Sequence, residues 1–325
     1  MNSLCSSNKL LLNPQFKAFI DEFRAISDAS KQLSLEEGRK LSSQFFLSQA
    51  IYEDVESIQD LVILGRDENN IPLRIYNPCP SETLPTIVYF HRGGWVFGSV
   101  NDADPVCRKL ANHFHCVVVS VDYRLSPENP FPKPLNDCYD ATIWAASNIH
   151  LLGRKKDHLI VCGESAGGNM AAVVAHMLRN EHSIRLAAQL LLCPVISSSL
   201  NIQAFENSMD QYFLTKDAMQ FFWSMYLSDK ENRQNPYASP ELFNDFSKLP
   251  PAIIITAEFD PLHIEANDYG DKLRKSGVEV IKKCVPQVIH GFIDLPIYDE
   301  SQKNSWIKKI GNYLNQILLL KRNTI

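Results

Sequence analysis

The segment Leu159-Ile160-Val161-Cys162-Gly163-Glu164-Ser165-Ala166-Gly167 decides the fold of this chain. Its first four residues are apolar, which predicts a buried strand, and the alanine-rich residues 166–179 predict a helix. The turn between them is so tight that Ser165 should have strained backbone angles, and Gly163 and Gly167 avoid the clashes that side chains would cause. A bare Gly-x-Ser-x-Gly pattern also occurs by chance in glycine turns. The flanking strand and helix favour a nucleophile elbow here, with Ser165 as the nucleophile.

Predicted strands and helices alternate on both sides of this segment. The strands are continuous apolar runs, which are typical of parallel strands covered by helices on both faces. We therefore expect an α/β fold with a mostly parallel central sheet, begun by a few antiparallel strands. The predicted strands are residues 62–64, 73–76, 87–90, 116–121, 159–162, 186–193, 252–256 and 279–284, and the predicted helices are residues 135–148, 166–179, 264–276 and 301–320.

Two segments do not fit the alternation. Residues 1–54 predict helices, and an insert at about residues 197–248 is rich in aromatic side chains. Because ligands bind at the carboxyl edge of such sheets, we expect the two segments to pack together there as a helical cap. The chain then consists of an N-terminal cap segment, residues 1–54, and a main α/β domain, residues 55–325, which carries the cap insert.

The composition excludes several classes of protein. Hydrophobic residues make up 45% of the 325 residues and charged residues 21%, which excludes disorder. Lysine and arginine total 32 against 37 aspartates and glutamates, a net charge of −5. Without a basic stripe, we do not expect nucleic acid as a partner.

The cysteines and the N-terminus bear on location. The eight cysteines form no Cys-x-x-Cys pair, and several, such as Cys116 and Cys162, lie in apolar runs, so we interpret them as reduced, buried thiols. The N-terminal leucine run is too short for a signal peptide, and no apolar stretch is long enough to span a membrane. We expect a cytoplasmic protein without a stable membrane anchor.

A glycine pair follows the predicted strand 87–90, in the sequence His91-Arg92-Gly93-Gly94-Trp95. Backbone N–H groups that point at a developing oxyanion stabilise the transition state of acyl transfer, and glycines let the backbone approach closely. Gly93 and Gly94 are the candidate donors, together with Ala166, the residue after the nucleophile. A Gly-Gly pair alone indicates only a turn, so this prediction depends on the elbow.

A serine nucleophile needs a base, and the base needs an orienting acid. Asp260 follows the predicted strand 252–256, and His290 follows another strand and precedes Gly291-Phe292. The order Ser165, Asp260, His290 is the order of α/β-hydrolases. His263 is the rival base, because it also lies in a loop at the carboxyl edge.

Other conspicuous residues are weaker candidates. The histidines of His113-x-His115 lack a third ligand nearby, so we expect no metal site. Aromatic side chains are more often core than ligand wall, but those in the cap or beside the glycine pair are candidate substrate contacts. These residues are Trp95, Tyr212, Phe213, Phe222 and Trp223.

Taken together, the motifs resemble those of the hormone-sensitive lipase family of α/β-hydrolases, in its bacterial esterase branch. The resemblance spans most of the chain from about Tyr76 onward. Its blocks are His91-Arg92-Gly93-Gly94, Tyr123-Arg124-Leu125-Ser126-Pro127-Glu128, Gly163-Glu164-Ser165-Ala166-Gly167-Gly168, Asp260-Pro261-Leu262-His263-Ile264-Glu265 and His290-Gly291-Phe292.

The resemblance implies an α/β-hydrolase fold with a helical cap and hydrolysis of carboxylic esters with short to medium acyl chains, without a cofactor. Three residues depart from the family pattern. Arg92 replaces the first glycine of the oxyanion motif, from which we expect an intact oxyanion hole with an altered loop charge. Glu164 is a longer acid than the usual aspartate, and Ile264 replaces an aspartate that is not the triad acid, which affects local hydrogen bonding.

Three alternatives stay open. The same fold serves as a non-catalytic receptor for small ligands in plant gibberellin receptors, which lack the triad histidine that His290 supplies here. In another alternative, the triad is kept but the bond cleaved is an amide or a lactone. The final sheet edge is a candidate surface for a homodimer.

Overall fold

The computed structural model describes residue 12 and residues 14–30, 32–181, 183–200, 204–205, 213–296 and 299–322. Within these residues, eight strands form one sheet. The strands are β1 (Ser57–Leu64), β2 (Asn70–Asn77), β3 (Leu84–Phe90), β4 (Val117–Val121), β5 (Arg154–Glu164), β6 (Leu186–Leu192), β7 (Ala252–Phe259) and β8 (Val280–Ile289).

The strand order is β1-β2-β4-β3-β5-β6-β7-β8. β2 pairs antiparallel with both β1 and β4, and all pairs from β4 to β8 are parallel. The expected α/β-hydrolase architecture, a mostly parallel sheet begun by antiparallel strands, is therefore confirmed.

Helices cover both faces of the sheet. Successive strand residues face opposite sides, so Val88 lies in one hydrophobic cluster with the helices Lys133–Ser147 and Ala166–Leu178, while Ile87 lies in the other with the helices Asp104–Phe114 and Glu300–Arg322. Among the described residues, no helix is long and apolar enough to cross a membrane. The helices are α1 (Pro14–Ser30), α2 (Leu35–Leu47), α3 (Asp104–Phe114), α4 (Lys133–Ser147), α5 (Ala166–Leu178), α6 (Lys216–Tyr226), α7 (His263–Lys275) and α8 (Glu300–Arg322).

The N-terminal helices contact both the insert and the main domain. Phe213 of the insert packs against Phe19 and Phe23 of α1, with ring centroids 5.7 and 4.7 Å apart. Arg39 of α2 donates hydrogen bonds to the carbonyl of Val96 and to the carboxylate of Glu128, at 2.7 and 2.8 Å. The two segments outside the α/β alternation therefore contact each other.

Candidate active site

Ser165 lies at the sharp turn between β5 and α5. Its φ of +57° is in the left-handed region, and its N–H donates to the Leu192 carbonyl at 2.9 Å. A Cβ on Gly163 would lie 2.2 Å from the Gly167 carbonyl oxygen, and one on Gly167 would lie 1.9 Å from the Phe90 carbonyl oxygen. No side chain fits at either position, so the two glycines are needed to form the turn.

His290 contacts both Ser165 and Asp260. Its Nδ1 lies 2.7 Å from Asp260 Oδ2, and its Nε2 lies 2.9 Å from Ser165 Oγ. A carboxylate only accepts hydrogen bonds, so Nδ1 carries the proton and Nε2 accepts from the serine hydroxyl. Asp260 Oδ1 accepts the N–H of Leu262 at 2.9 Å. All three side chains are buried, and together they form a Ser-His-Asp chain in which proton transfer from serine to imidazole is possible.

The other candidate histidines bond to the backbone. His263 Nδ1 lies 2.7 Å from the Asp260 carbonyl oxygen. His91 Nδ1 donates to the Arg92 carbonyl at 2.8 Å, and its ring stacks on Tyr123 at a centroid distance of 4.0 Å. Burial lowers the pKa of His91. The structure therefore brings His290, and not these residues, to Ser165.

The oxyanion loop, residues 91–95, follows β3. Gly93 and Gly94 have φ of +123° and +59°, and a Cβ on Gly93 would lie 2.1 Å from the Phe97 carbonyl oxygen. Phe90 pairs with Gly163 of β5, so the loop and the elbow leave the sheet side by side. Ala166 begins α5, and the first N–H groups of a helix have no partner within it. The three predicted donors therefore lie on two adjacent turns.

Phe222 of α6 lies on the oxyanion loop. A Cβ on Gly94 would come within 2.4 Å of its ring, so ring and backbone are in direct contact. The half-buried ring also packs edge-to-face against Phe97, at a centroid distance of 6.2 Å. Of the four predicted aromatic contacts that the structure describes, Phe222 is the one that lies against the glycines of the loop and is partly exposed.

The other aromatic candidates that the structure describes pack against neighbouring side chains. Trp95 and Trp223 are fully buried and pack against each other, with ring centroids 4.5 Å apart, so they do not line an open site. Trp95 also stacks on Tyr226 at 4.3 Å. Phe213 packs on α1, and Tyr212 lies outside the described residues. The sequence does not distinguish a tryptophan that packs under the cap from one that contacts substrate.

The three departures from the family pattern have different surroundings. Arg92 is partly buried and donates to Asp294, a residue that the sequence analysis missed. A buried cation in a loop needs an anion, but nothing in the sequence shows which one. Glu164 is fully buried rather than at the surface. Ile264 is partly exposed, and the next residue, Glu265, is the one that holds backbone N–H groups after β6.

A possible ligand set for a metal coincides with the triad. Among the described residues, Cys193, Asp260 and His290 form the group whose ligand atoms all lie within 4.8 Å of one another. Burial raises the pKa of the Cys193 thiol, and Asp260 raises it further, so the sulfur is neutral. Asp260 and His290 already bond to each other, so this arrangement fits proton transfer better than metal binding.

Several known proteins with similar sequences and structures are named esterases. A family model described as the alpha/beta hydrolase fold matches residues 87–294. The chain is 33% identical to an arylesterase of Saccharolobus solfataricus over 88% of this chain and 93% of that protein. It is 36% identical to carboxylesterase NlhH of Mycobacterium tuberculosis over 70% of this chain and 73% of that protein. A hyperthermophilic esterase from the archaeon Pyrobaculum calidifontis superposes with a TM-score of 0.85 at 36% identity, covering 95% of this chain and 99% of that chain.

Proposed function

The chain belongs to the hormone-sensitive lipase-like esterases of the α/β-hydrolase fold and hydrolyses carboxylic esters, and from this premise we propose that Ser165, His290 and Asp260 are its catalytic residues. The observation that supports this assignment is the unbroken hydrogen-bonded chain from the serine hydroxyl through the imidazole to the carboxylate. Its substrates are small-molecule esters.

The reaction proceeds through an acyl-enzyme. Ser165 Oγ attacks the ester carbonyl carbon while His290 Nε2 accepts the hydroxyl proton. The carbonyl oxygen becomes an oxyanion, which the N–H groups of Gly93, Gly94 and Ala166 bind. His290 then donates its proton to the leaving alcohol. Water then attacks the acyl carbon while His290 accepts its proton, and when the second oxyanion collapses, His290 returns this proton to Ser165 Oγ and the acid is released.

Asp260 keeps the imidazole in the tautomer that the reaction needs. Its carboxylate accepts the Nδ1 proton of His290 and stabilises the imidazolium that forms in each transition state. The carboxylate is itself fixed by the Leu262 N–H, which supports a fixed orientation of the ring.

Replacement of the nucleophile tests the assignment. We expect Ser165→Ala to lose about 10⁶-fold in kcat on p-nitrophenyl acetate, the scale seen when a triad serine is removed. Ser224→Ala is the control, because that hydroxyl is exposed on α6 and donates to a local carbonyl. A fluorophosphonate should label Ser165 in the native chain, as located by peptide mass spectrometry. Turnover that survives in Ser165→Ala, or ligand binding by the native chain without turnover, contradicts the proposal.

We propose short to medium acyl chains as the preferred substrates. The support is the Phe222 ring, which lies against Gly94 and takes up space beside the proposed oxyanion hole. Phe222→Ala should move the preferred p-nitrophenyl ester towards longer chains in a series from acetate to dodecanoate. Phe221→Ala is the matched control, because that neighbouring ring is more exposed. An unchanged chain-length profile in Phe222→Ala would show that this ring does not limit the pocket.

We also propose that residues 1–54 and the insert, residues 197–248, form one cap. The contact of Phe213 with Phe23 supports this, as does the anchoring of α2 by Arg39. A cytoplasmic location is proposed from the cysteines, since five of them are buried thiols outside any disulfide, namely Cys107, Cys116, Cys138, Cys162 and Cys193. A homodimer through β8, an end strand of the sheet, is proposed as well, and light scattering coupled to gel filtration tests it.

A further inference from the structure

Arg92 is partly buried in the oxyanion loop with two carboxylates beside it. Its side chain is 17% exposed, its Nε donates to Asp294 Oδ2, and the same nitrogen lies 4.0 Å from Glu164 Oε2. The guanidinium also lies 4.3 Å from the ring centroid of Phe46, on α2. The arginine therefore contacts the main domain on one side and the N-terminal helices on the other.

The two carboxylates belong to the two other segments that carry reacting groups. Glu164 directly precedes Ser165 in the nucleophile elbow, residues 163–167. Asp294 lies four positions after His290, in the histidine turn, residues 290–295. One guanidinium thus links the oxyanion loop to both the serine and the histidine segments.

The histidine turn has a separate attachment to α8. Its backbone closes through the N–H groups of Asp294 and Leu295, which donate to the Gly291 carbonyl at 3.1 and 3.0 Å. Lys303 of α8 donates to the Leu295 carbonyl at 2.7 Å and to Glu300 at 2.9 Å. These bonds hold the turn on α8 but do not fix its distance from the oxyanion loop. Among the described residues, the Arg92–Asp294 pair is the side-chain ion pair that joins the histidine turn to the oxyanion loop.

The charges around Glu164 favour a neutral cluster. Both Glu164 oxygens are buried, and neither has a hydrogen-bond partner among the described residues. Burial raises the pKa of Glu164 to about 8; repulsion from Asp294 and Asp260 adds to this, and attraction to Arg92 and Lys303 opposes it. At neutral pH Glu164 is therefore mostly protonated, and Arg92 and Asp294 form a pair without net charge.

We propose that Arg92 is a positioning residue for ester hydrolysis, whose ion pair with Asp294 beside Glu164 holds the oxyanion loop in place against the elbow and the histidine turn. The inference rests on the proposed function, because it assumes the reacting groups named there. Without the arginine, Asp294 is a largely buried charge with no direct ion-pair partner among the described residues, since Lys303 bonds to Glu300 and to the Leu295 carbonyl, and this is strongly unfavourable. The turn and the loop would then separate to admit water.

Two conservative variants test this role. Asp294→Asn keeps the side-chain shape but removes the anion, and Arg92→Lys keeps a cation but loses the planar fork. For Asp294→Asn on p-nitrophenyl butyrate we expect kcat to fall about 10- to 100-fold with KM within about threefold, because the change displaces groups that act in the transition state. Arg92→Lys should retain more kcat than Arg92→Met.

A transition-state analogue separates positioning from folding. A trifluoromethyl ketone adds reversibly to a serine hydroxyl and leaves a tetrahedral oxyanion. Its inhibition constant should rise in parallel with KM/kcat across the Arg92 and Asp294 variants. Active-site titration with a phosphonate ester gives the concentration of folded enzyme, so unfolded protein does not alter these values.

Arg108→Met is the matched control. Arg108 of α3 donates to Asp104 at 2.7 Å, and its guanidinium lies 5.7 Å from the Tyr52 ring centroid, a similar pair away from the site. We expect a lower melting temperature with kcat per titrated site and the inhibition constant within twofold of wild type.

A rise of less than fivefold in the inhibition constant of Asp294→Asn overturns the proposal, whatever its melting temperature. If Arg92→Met yields no titratable sites because it does not fold, the Asp294→Asn result decides alone. Failure of the proposed function appears differently: the wild-type chain would form no adduct with the inhibitor, or Ser165→Ala would keep its turnover.

Discussion

Replacement of Asp260 by asparagine should remove most of the esterase activity and leave the fold intact. Asp260 Oδ2 accepts from His290 Nδ1 at 2.7 Å, while Oδ1 accepts the Leu262 N–H at 2.9 Å. Because that N–H can only donate, an asparagine keeps its carbonyl oxygen there and turns its NH₂ group towards Nδ1. Nδ1 must then accept, so the ring proton moves to Nε2, and His290 can no longer accept the proton of Ser165.

The expected loss is about 10⁴-fold in kcat. The same replacement in a serine protease triad has an effect of this size, for the same tautomeric reason. At ~1.36 kcal/mol per tenfold change, it corresponds to about 5.5 kcal/mol of lost transition-state stabilisation. Asp260 and His290 are 0% and 4% exposed, so solvent has little access to replace the missing carboxylate.

The assay compares kcat on p-nitrophenyl butyrate for Asp260→Asn and Asp268→Asn, with melting temperatures for both. Asp268 is an exposed aspartate on α7 and should tolerate the change. Intact-mass spectrometry excludes protein in which the new asparagine has deamidated. A correctly folded Asp260→Asn variant that keeps more than about a tenth of wild-type kcat would refute the tautomer argument.

Three further predictions concern packing and pH. Gly167→Ala places a Cβ 1.9 Å from the Phe90 carbonyl oxygen and should cost about 1–3 kcal/mol or more of unfolding free energy. Gly38→Ala, whose Cβ meets no atom within 4 Å, should raise the unfolding free energy by about 0.5–1 kcal/mol. A urea-unfolding curve that coincides with that of the wild type would contradict the prediction for either glycine. Arg39→Ala should detach the N-terminal helices, seen as faster tryptic cleavage within residues 14–47, and unchanged cleavage would show that other contacts suffice. Burial lowers the pKa of His176 to about 3 from 6.5, so the neutral ring stabilises the fold above pH 6.5 and this stabilisation is lost as the pH falls towards 3. His176→Gln should therefore reduce the acid-induced loss of unfolding free energy by up to about 1.4 kcal/mol per pH unit, and parallel pH profiles for variant and wild type would contradict this.

The sheet could be predicted because its strands are long apolar runs, but the ends of the elements could not. β5 begins at Arg154, five residues before the predicted start, because Leu84 of β3 pairs with Arg154 outside the apolar run. α3 was missing from the predicted helices, although its buried positions, which include Val106, Leu110 and Phe114, have helical spacing. The apolar pattern of the sequence shows which residues are buried, whereas pairing with the neighbouring strand determines the residue at which a strand begins or ends.

The candidate triad could be predicted because each residue follows an apolar run of the sheet, and the order Ser165, Asp260, His290 is that of α/β-hydrolases. The Arg92–Asp294 pair could not, since its partners are 202 positions apart and neither lies in a pattern that identifies the other. The surroundings of the aromatic candidates could not be predicted for a different reason. Trp95 and Trp223 are fully buried, whereas Phe222 is partly exposed and lies against Gly94, although Trp223 and Phe222 are neighbours on α6 and only the orientation of the helix separates them.

The convergence of distant residues follows from strand register. Phe259 of β7 pairs with Ile289 of β8, so Asp260 and His290 leave adjacent strands at the same level of the sheet. Between the pairs Ala257–Val285 and Phe259–Ile289, two steps along β7 correspond to four along β8, and Gln287 in the extra stretch has φ +61°. Such register shifts re-aim the residues that follow them. Ser165 leaves β5, two strands and ~10 Å from β7, so a straight β8 would leave the imidazole one strand further from the serine than the acid. The irregularity in β8 therefore explains how His290 reaches Ser165, although β8 lies one strand further from β5 than β7 does.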